Sequence, residues 1–185
     1  MKKTALILIL CMLSFLFSGC SSGGTDWALL NLAQSDEKTD TPIPAQQVAI
    51  ALSTTAPLGG MEIIFSITGD DPSGTVSIYK AENDFATSLS KKPVREEKFS
   101  QITEKMLWQF RTLPAGNYLI VFSDLNAASL IRSILPSKEA IGKILTYQNG
   151  DISTDGTCLL TLLFTKTHDH PEPGLNTFAY PVPEE

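Results

Sequence analysis

Leu113-Pro114-Ala115-Gly116-Asn117-Tyr118-Leu119-Ile120-Val121-Phe122 is the stretch on which the fold turns. Proline fixes φ near −65° and removes a donor, and glycine two positions later allows a tight reversal. Beyond the reversal, five successive β-prone residues present two sets of alternate side chains. One set suits a core and the other a second, partly wet face, as in a strand. Tyr118 begins that strand with a ring that packs and a hydroxyl that reaches a wet edge. The ten residues therefore read as strand end, corner and new strand.

The same rhythm runs outward from residue 46, with short β-prone runs punctuated every eight to twelve residues, the spacing of an all-β sandwich or barrel. The runs predict strands near 47–53, 62–68, 75–80, 95–100, 106–111, 117–123, 143–148 and 158–165. Gly69-Asp70-Asp71-Pro72-Ser73-Gly74 and Gln148-Asn149-Gly150-Asp151 supply turn chemistry between them. Residues 126–135 leave a choice. Leu130, Ile131, Ile134 and Leu135 fit one face of a short helix capped by Asn126, and a strand fits as well.

Leu113, Pro114, Gly116 and Tyr118 stand in a pattern that resembles the Leu-Pro-x-Gly-x-Tyr corner of prealbumin-like and carboxypeptidase-regulatory-like domains. The likeness extends loosely over residues 60–165, through Gly74-Thr75-Val76-Ser77-Ile78-Tyr79, Asp124-Leu125-Asn126 and Ile144-Leu145-Thr146-Tyr147. It implies an antiparallel β-sandwich, prealbumin-like or Ig/fibronectin-III-like, and implies no activity, because a fold does not carry a function.

Before residue 46 the chain changes character. Lys2 and Lys3 precede a mostly apolar run over residues 5–18, followed by Gly19, Cys20, Ser21 and Ser22. The run is too short for a spanning helix, which needs about 20 apolar residues, and has the form of a signal-peptide core. Phe17-Ser18-Gly19-Cys20 resembles the lipobox of bacterial lipoproteins. That resemblance implies cleavage before Cys20, acylation of Cys20, and a membrane as the first partner. With Ser21 where many inner-membrane lipoproteins carry aspartate, it implies sorting to the outer membrane. The expected organisation is a signal peptide over 1–19, a lipidated flexible tether over 20–45, a sandwich over 46–167 and an extended Pro-rich tail over 168–185. The island Trp27-Ala28-Leu29-Leu30-Asn31-Leu32-Ala33, whose apolar residues could cover one side of two helical turns beside the lipid, is read as an unstructured segment or a small patch docked on the domain in preference to a membrane-interface role.

The formal net charge of −6 becomes more negative once Lys2 and Lys3 leave with the signal. No basic run exceeds a pair, and the local exception, Lys91-Lys92-Pro93-Val94-Arg95 with Lys98, is offset by Glu96 and Glu97 and read as a solvated mixed-charge edge, so the balance argues against a phosphate-neutralising surface for nucleic acid. Cys11 lies in the signal and Cys20 is taken by lipid. Cys158, in an apolar run, is expected to be a buried and inert thiol rather than half of a disulfide.

His168, Asp169, His170 and Glu172 form the one cluster of metal-capable side chains. Imidazoles two apart in an extended chain face the same way and suit zinc or copper. In a Pro-rich tail with no further histidine or cysteine beside them, His168 and His170 are read as solvated, and no cofactor is expected. Asp70, Asp71, Asp124, Asn126 and Asp151 suit Ca²⁺ if their loops converge, but aspartate is equally a turn residue. Neither a Gly-x-Ser-x-Gly elbow nor a phosphate-binding glycine loop is present, so no catalytic residue is assigned. The expectation is a non-catalytic envelope module that binds another protein or a glycan, or serves as a structural accessory. The alternative is a lipoprotein that carries a small ligand or metal.

Overall fold

Alternate side chains sort the strands into two antiparallel sheets packed face to face. The computed structural model describes residues 27–32, 41–42, 47–67, 69–126, 129–134, 136–153, 157–158, 160–165 and 173–182. The first sheet has the order β1 (Trp27–Asn31), β13 (Leu160–Thr165), β4 (Leu58–Ile67), β9 (Ser129–Ile134), β12 (Thr157–Cys158). In it β7 (Lys105–Leu113) also pairs with β4, and β2 (Thr41–Pro42) with β9. The second has the order β11 (Asp151–Ser153), β10 (Ile144–Gln148), β3 (Val48–Thr54), β8 (Gly116–Ser123), β5 (Gly74–Lys80), β6 (Arg95–Phe99), with β14 (Leu175–Asn176) on β3.

Between the sheets, Val48, Ile50 and Leu52 of β3 and Tyr118, Ile120 and Phe122 of β8 meet Met61, Ile63 and Phe65 of β4 and Leu160, Leu162 and Phe164 of β13. Each such side chain, removed from water, contributes about 1.5–3 kcal/mol. The intervening residues of β3 and β8 face outward yet are also buried. Ala49, Ala51, Leu119 and Val121 form a second cluster with Tyr147 and Phe178, joined by Phe85 and Tyr180 at its margin. This cluster explains why β3 is apolar from Val48 to Leu52 instead of alternating with polar residues.

Its cover comes from a short helix, α1 (Phe85–Leu89), and from the C-terminal segment. Asp84 caps α1, accepting from the Thr87 N–H at 2.7 Å. Phe85 stacks on Tyr147 with ring centroids 4.4 Å apart, and Phe178 and Tyr180 meet edge to face at 5.0 Å.

The structure bears out the all-β sandwich and revises several boundaries. Of residues 126–135, Ser129–Ile134 form a strand, β9, which pairs with both β4 and β12, so the strand reading holds there and the helical one does not. The tether expected over 20–45 contains a strand of the sandwich. Trp27 to Asn31 pair antiparallel with Thr165 to Thr161, and Ala28 and Leu30 pack on the main core. Alternation places these two inward, so the island docks as a strand rather than as a loose patch. The domain also does not end at 167, because β14 pairs with β3 and Phe178 is buried in the second cluster. Prolines in that tail exclude a long strand but not a docked extended segment. Finally, β4 starts at Leu58 rather than 62, with Gly59 and Gly60 inside the strand.

Candidate functional site

The corner assembles as its residues predict. β7 ends at Leu113 in the first sheet and β8 starts at Gly116 in the second, so the chain crosses the sandwich in two residues. The Tyr118 hydroxyl donates to the Pro114 carbonyl at 2.6 Å, the bond by which sandwich domains commonly fasten such a crossing. Burial pushes the Tyr118 hydroxyl above the ordinary phenol range, and the nearby Arg95 guanidinium opposes that shift. Thr54 locks the corner to β3, its hydroxyl accepting from the Gly116 N–H at 3.1 Å. Gly116 does not adopt a positive φ, and a Cβ at this position would meet the Tyr118 ring at an ordinary 3.8 Å. The fixed φ of Pro114 and the Tyr118 bond define the corner.

Around this corner lies one pole of the sandwich. Lys80, at the end of β5, is opposite Tyr118, and Leu58 is opposite Leu113. Trp27 pairs with Thr165, whose N–H donates to Pro57 at 3.1 Å, so β1 begins at the same pole. Lys80, Glu82, Pro114 and Tyr118 rim a shallow depression of about 220 Å³. This is below the range of about 300–1,000 Å³ typical of small-ligand pockets.

At the opposite pole the acidic turns gather, as the calcium reading required, and their polar groups act as turn fasteners. The Thr75 hydroxyl donates to Asp124 Oδ2 at 3.0 Å. The Asn126 amide donates to the Asp71 carbonyl at 2.7 Å and accepts from the Ser73 N–H at 3.3 Å. Asp71 and Asp124 take left-handed φ of 53° and 52°. Asn149 and Gly150, at φ 51° and 95°, make the two-residue hairpin between β10 and β11 that leads into Asp151. Among the described residues no three of His, Cys, Asp and Glu are grouped to hold a metal ion. Cys20, His168 and His170 lie outside the described residues, as does the side chain of Cys158, whose backbone pairs with Ser133.

The two outer faces differ. That of the second sheet is roofed by α1 and the C-terminal segment. On the first, no described element crosses the rows formed by Leu29, Leu163, Gly60 and Gln109, and by Asn31, Thr161, Glu62 and Leu107. Leu29 is 67 % exposed and Leu107 56 %. Glu62 on this face pairs with Lys105 at 2.8 Å. Sequence reading missed the face because β1 was not recognised as a strand. The short apolar run Trp27-Ala28-Leu29-Leu30, which fits a strand as well as a helical turn, was the available signal.

No protein-family model matches the chain, and no curated protein or solved structure matches it either.

Proposed function

We propose that the protein is a lipid-anchored component of the bacterial cell envelope, held by acylated Cys20, whose sandwich is a non-catalytic module that binds another envelope protein. Outer-membrane sorting follows from Ser21 by the same lipoprotein resemblance. The observation that carries the binding role is the outer face of the first sheet, which no described element crosses and on which Leu29 and Leu107 are exposed on neighbouring rows. β1 and β7 are three strand spacings apart, or about 14 Å, so the two leucines frame a single face. Exposed aliphatic side chains suit a protein surface better than a glycan, which aromatic platforms usually receive.

The test compares the acylated wild-type chain with Leu29→Lys/Leu107→Lys in cross-linking and co-purification from the envelope. Both sites are exposed, so the variant should keep its melting temperature. A partner recovered by wild type and lost by the variant supports the reading. Identical recovery by both chains would remove this face from it.

A further inference from the structure

We infer that the corner pole of the sandwich rests against a negatively charged phospholipid surface, with the acidic-turn pole directed away from it. The inference rests on the lipid-anchor reading of Cys20 and adds to it an orientation and a contact surface.

Two independent observations carry it. The first is chain length. Because β1 begins at Trp27, only residues 21–26 separate the sandwich from Cys20. Whatever their conformation, the step from Cys20 to Trp27 spans at most about 25 Å. A tether running to residue 45 would let the domain tumble freely, whereas this leash holds one pole next to the anchor. Trp27, half-buried, starts β1 at that pole, and an indole suits the boundary between headgroups and water.

The second observation is charge. Lys80 ends β5 beside the corner, and Arg95 donates twice to the Arg111 carbonyl, at 3.0 and 2.7 Å, across the edges of the two sheets. Lys91 and Lys92 lie in the connection that leaves β5 and enters β6 at this same pole, and Lys143 directly precedes β10. Against these basic residues stand Glu82, Asp84, Glu96 beside Arg95, and Asp26 in the leash itself. Lys80, Lys91, Lys92 and Arg111 are exposed, and none forms an ion pair with a carboxylate among the described residues. The far pole carries Asp70, Asp71, Asp124 and Asp151. The chain is acidic overall, yet its cations collect where the leash leaves. An anionic surface attracts that pole and repels the other, and the attraction acts within a Debye length of about 8–10 Å that the leash makes reachable.

The test uses the acylated full-length protein, reconstituted in vesicles of anionic or of zwitterionic phospholipid and recovered by flotation. Exposed lysines are acetylated with a water-soluble reagent and read by peptide mass spectrometry, each lysine's rate in zwitterionic vesicles serving as its own reference. In anionic vesicles Lys80, Lys91 and Lys92 should react about threefold more slowly or less, while Lys98 and Lys138 keep their rates. Salt of about 1 M should abolish the difference. The Lys91→Glu/Lys92→Glu variant should still float and should lose the protection of Lys80. Uniform slowing of all lysines, or slowing of Lys98 and Lys138 instead, overturns the orientation. Flotation with no protection overturns the orientation and leaves the anchor standing, whereas failure of the wild-type chain to float removes both.

Discussion

The Trp27 ring lies across Gly59 so closely that a Cβ on Gly59 would sit 2.5 Å from Cζ3 and 2.8 Å from Cη2. The contact joins the first strand of the sheet to a glycine two strands away and ties the N-terminal segment to the fold. Gly59→Val should therefore expel the indole and cost about 1–3 kcal/mol through overpacking. Trp27→Ala should cost a similar amount through lost burial. In the double variant the costs should fall well short of their sum, because one contact is lost only once. Additive denaturation midpoints would show that the ring does not occupy this place.

At the corner, Tyr118 and Gly116 should respond differently to substitution. Tyr118→Phe deletes the hydroxyl that donates to Pro114 and should cost about 1–2 kcal/mol. Gly116→Ala should stay within about 0.5 kcal/mol of the parent, since φ is not positive and the added methyl meets only ordinary contacts. Urea midpoints of the two variants decide the matter, and a larger loss for Gly116→Ala would reverse the account.

These sites show what was legible in the chain and what was not. The alternation in Tyr118-Leu119-Ile120-Val121-Phe122 and the turn chemistry of Asn149-Gly150 are local signals, and each produced the expected element. β1 escaped because strand pairing is non-local. Nothing within residues 27–31 reveals that Leu160–Thr165 lies across from them. The start of β4 at Leu58 escaped for a related reason. Glycine marks turns, but it also marks places where another group approaches the backbone closely, and the approaching group here is a tryptophan some thirty residues earlier in the sequence. The docked tail escaped because its prolines masked two aromatic residues whose partners, Tyr147 and Phe85, are distant in the chain. The candidate binding face was invisible until β1 and β7 were seen in one sheet.

Tyr180 closes the second cluster with a hydroxyl that is buried and makes no hydrogen bond of acceptable geometry among the described residues. Burial, and then the neighbouring Tyr147 hydroxyl, push its titration above the ordinary phenol range. A buried polar group without a partner is a cost of folding, so Tyr180→Phe should leave stability unchanged or raise it by up to about 1 kcal/mol. Clear destabilisation on thermal denaturation would mean that the hydroxyl has a partner after all.

Asp84 makes the cap of α1 sensitive to acid. The Thr87 N–H first, and the Thr87 hydroxyl second, hold its carboxyl below the ordinary aspartate value of 3.8. A depressed folded pKa gives stabilisation that is present above 3.8 and lost as pH falls through the folded value. Asp84→Asn should thus lose stability relative to the parent at pH 7, and the gap should narrow below pH 3.8. A gap that is constant with pH would indicate that the charge of Asp84 plays no part in the cap.

The anchor gives the last prediction, and its energetics are separable from those of the fold. Each acyl methylene buried in the bilayer contributes about 0.8 kcal/mol, so on the proposed reading several chains on Cys20 would hold the protein where a single chain would release it. Among the described residues no helix is long and apolar enough to cross a membrane, so the sandwich itself supplies no substitute for that attachment through a spanning helix. Cys20→Ser should abolish incorporation of labelled fatty acid and move the protein from the membrane fraction to the soluble one. The melting temperature of the sandwich should not change, because β1 begins seven positions later and its pairing with β13 does not involve residue 20. Charged residues at the corner pole should still give the released protein a weak, salt-sensitive affinity for anionic vesicles. If the Cys20→Ser protein stays firmly membrane-bound without an acyl label, the apolar run over residues 5–18 is an uncleaved anchor and the lipoprotein reading fails.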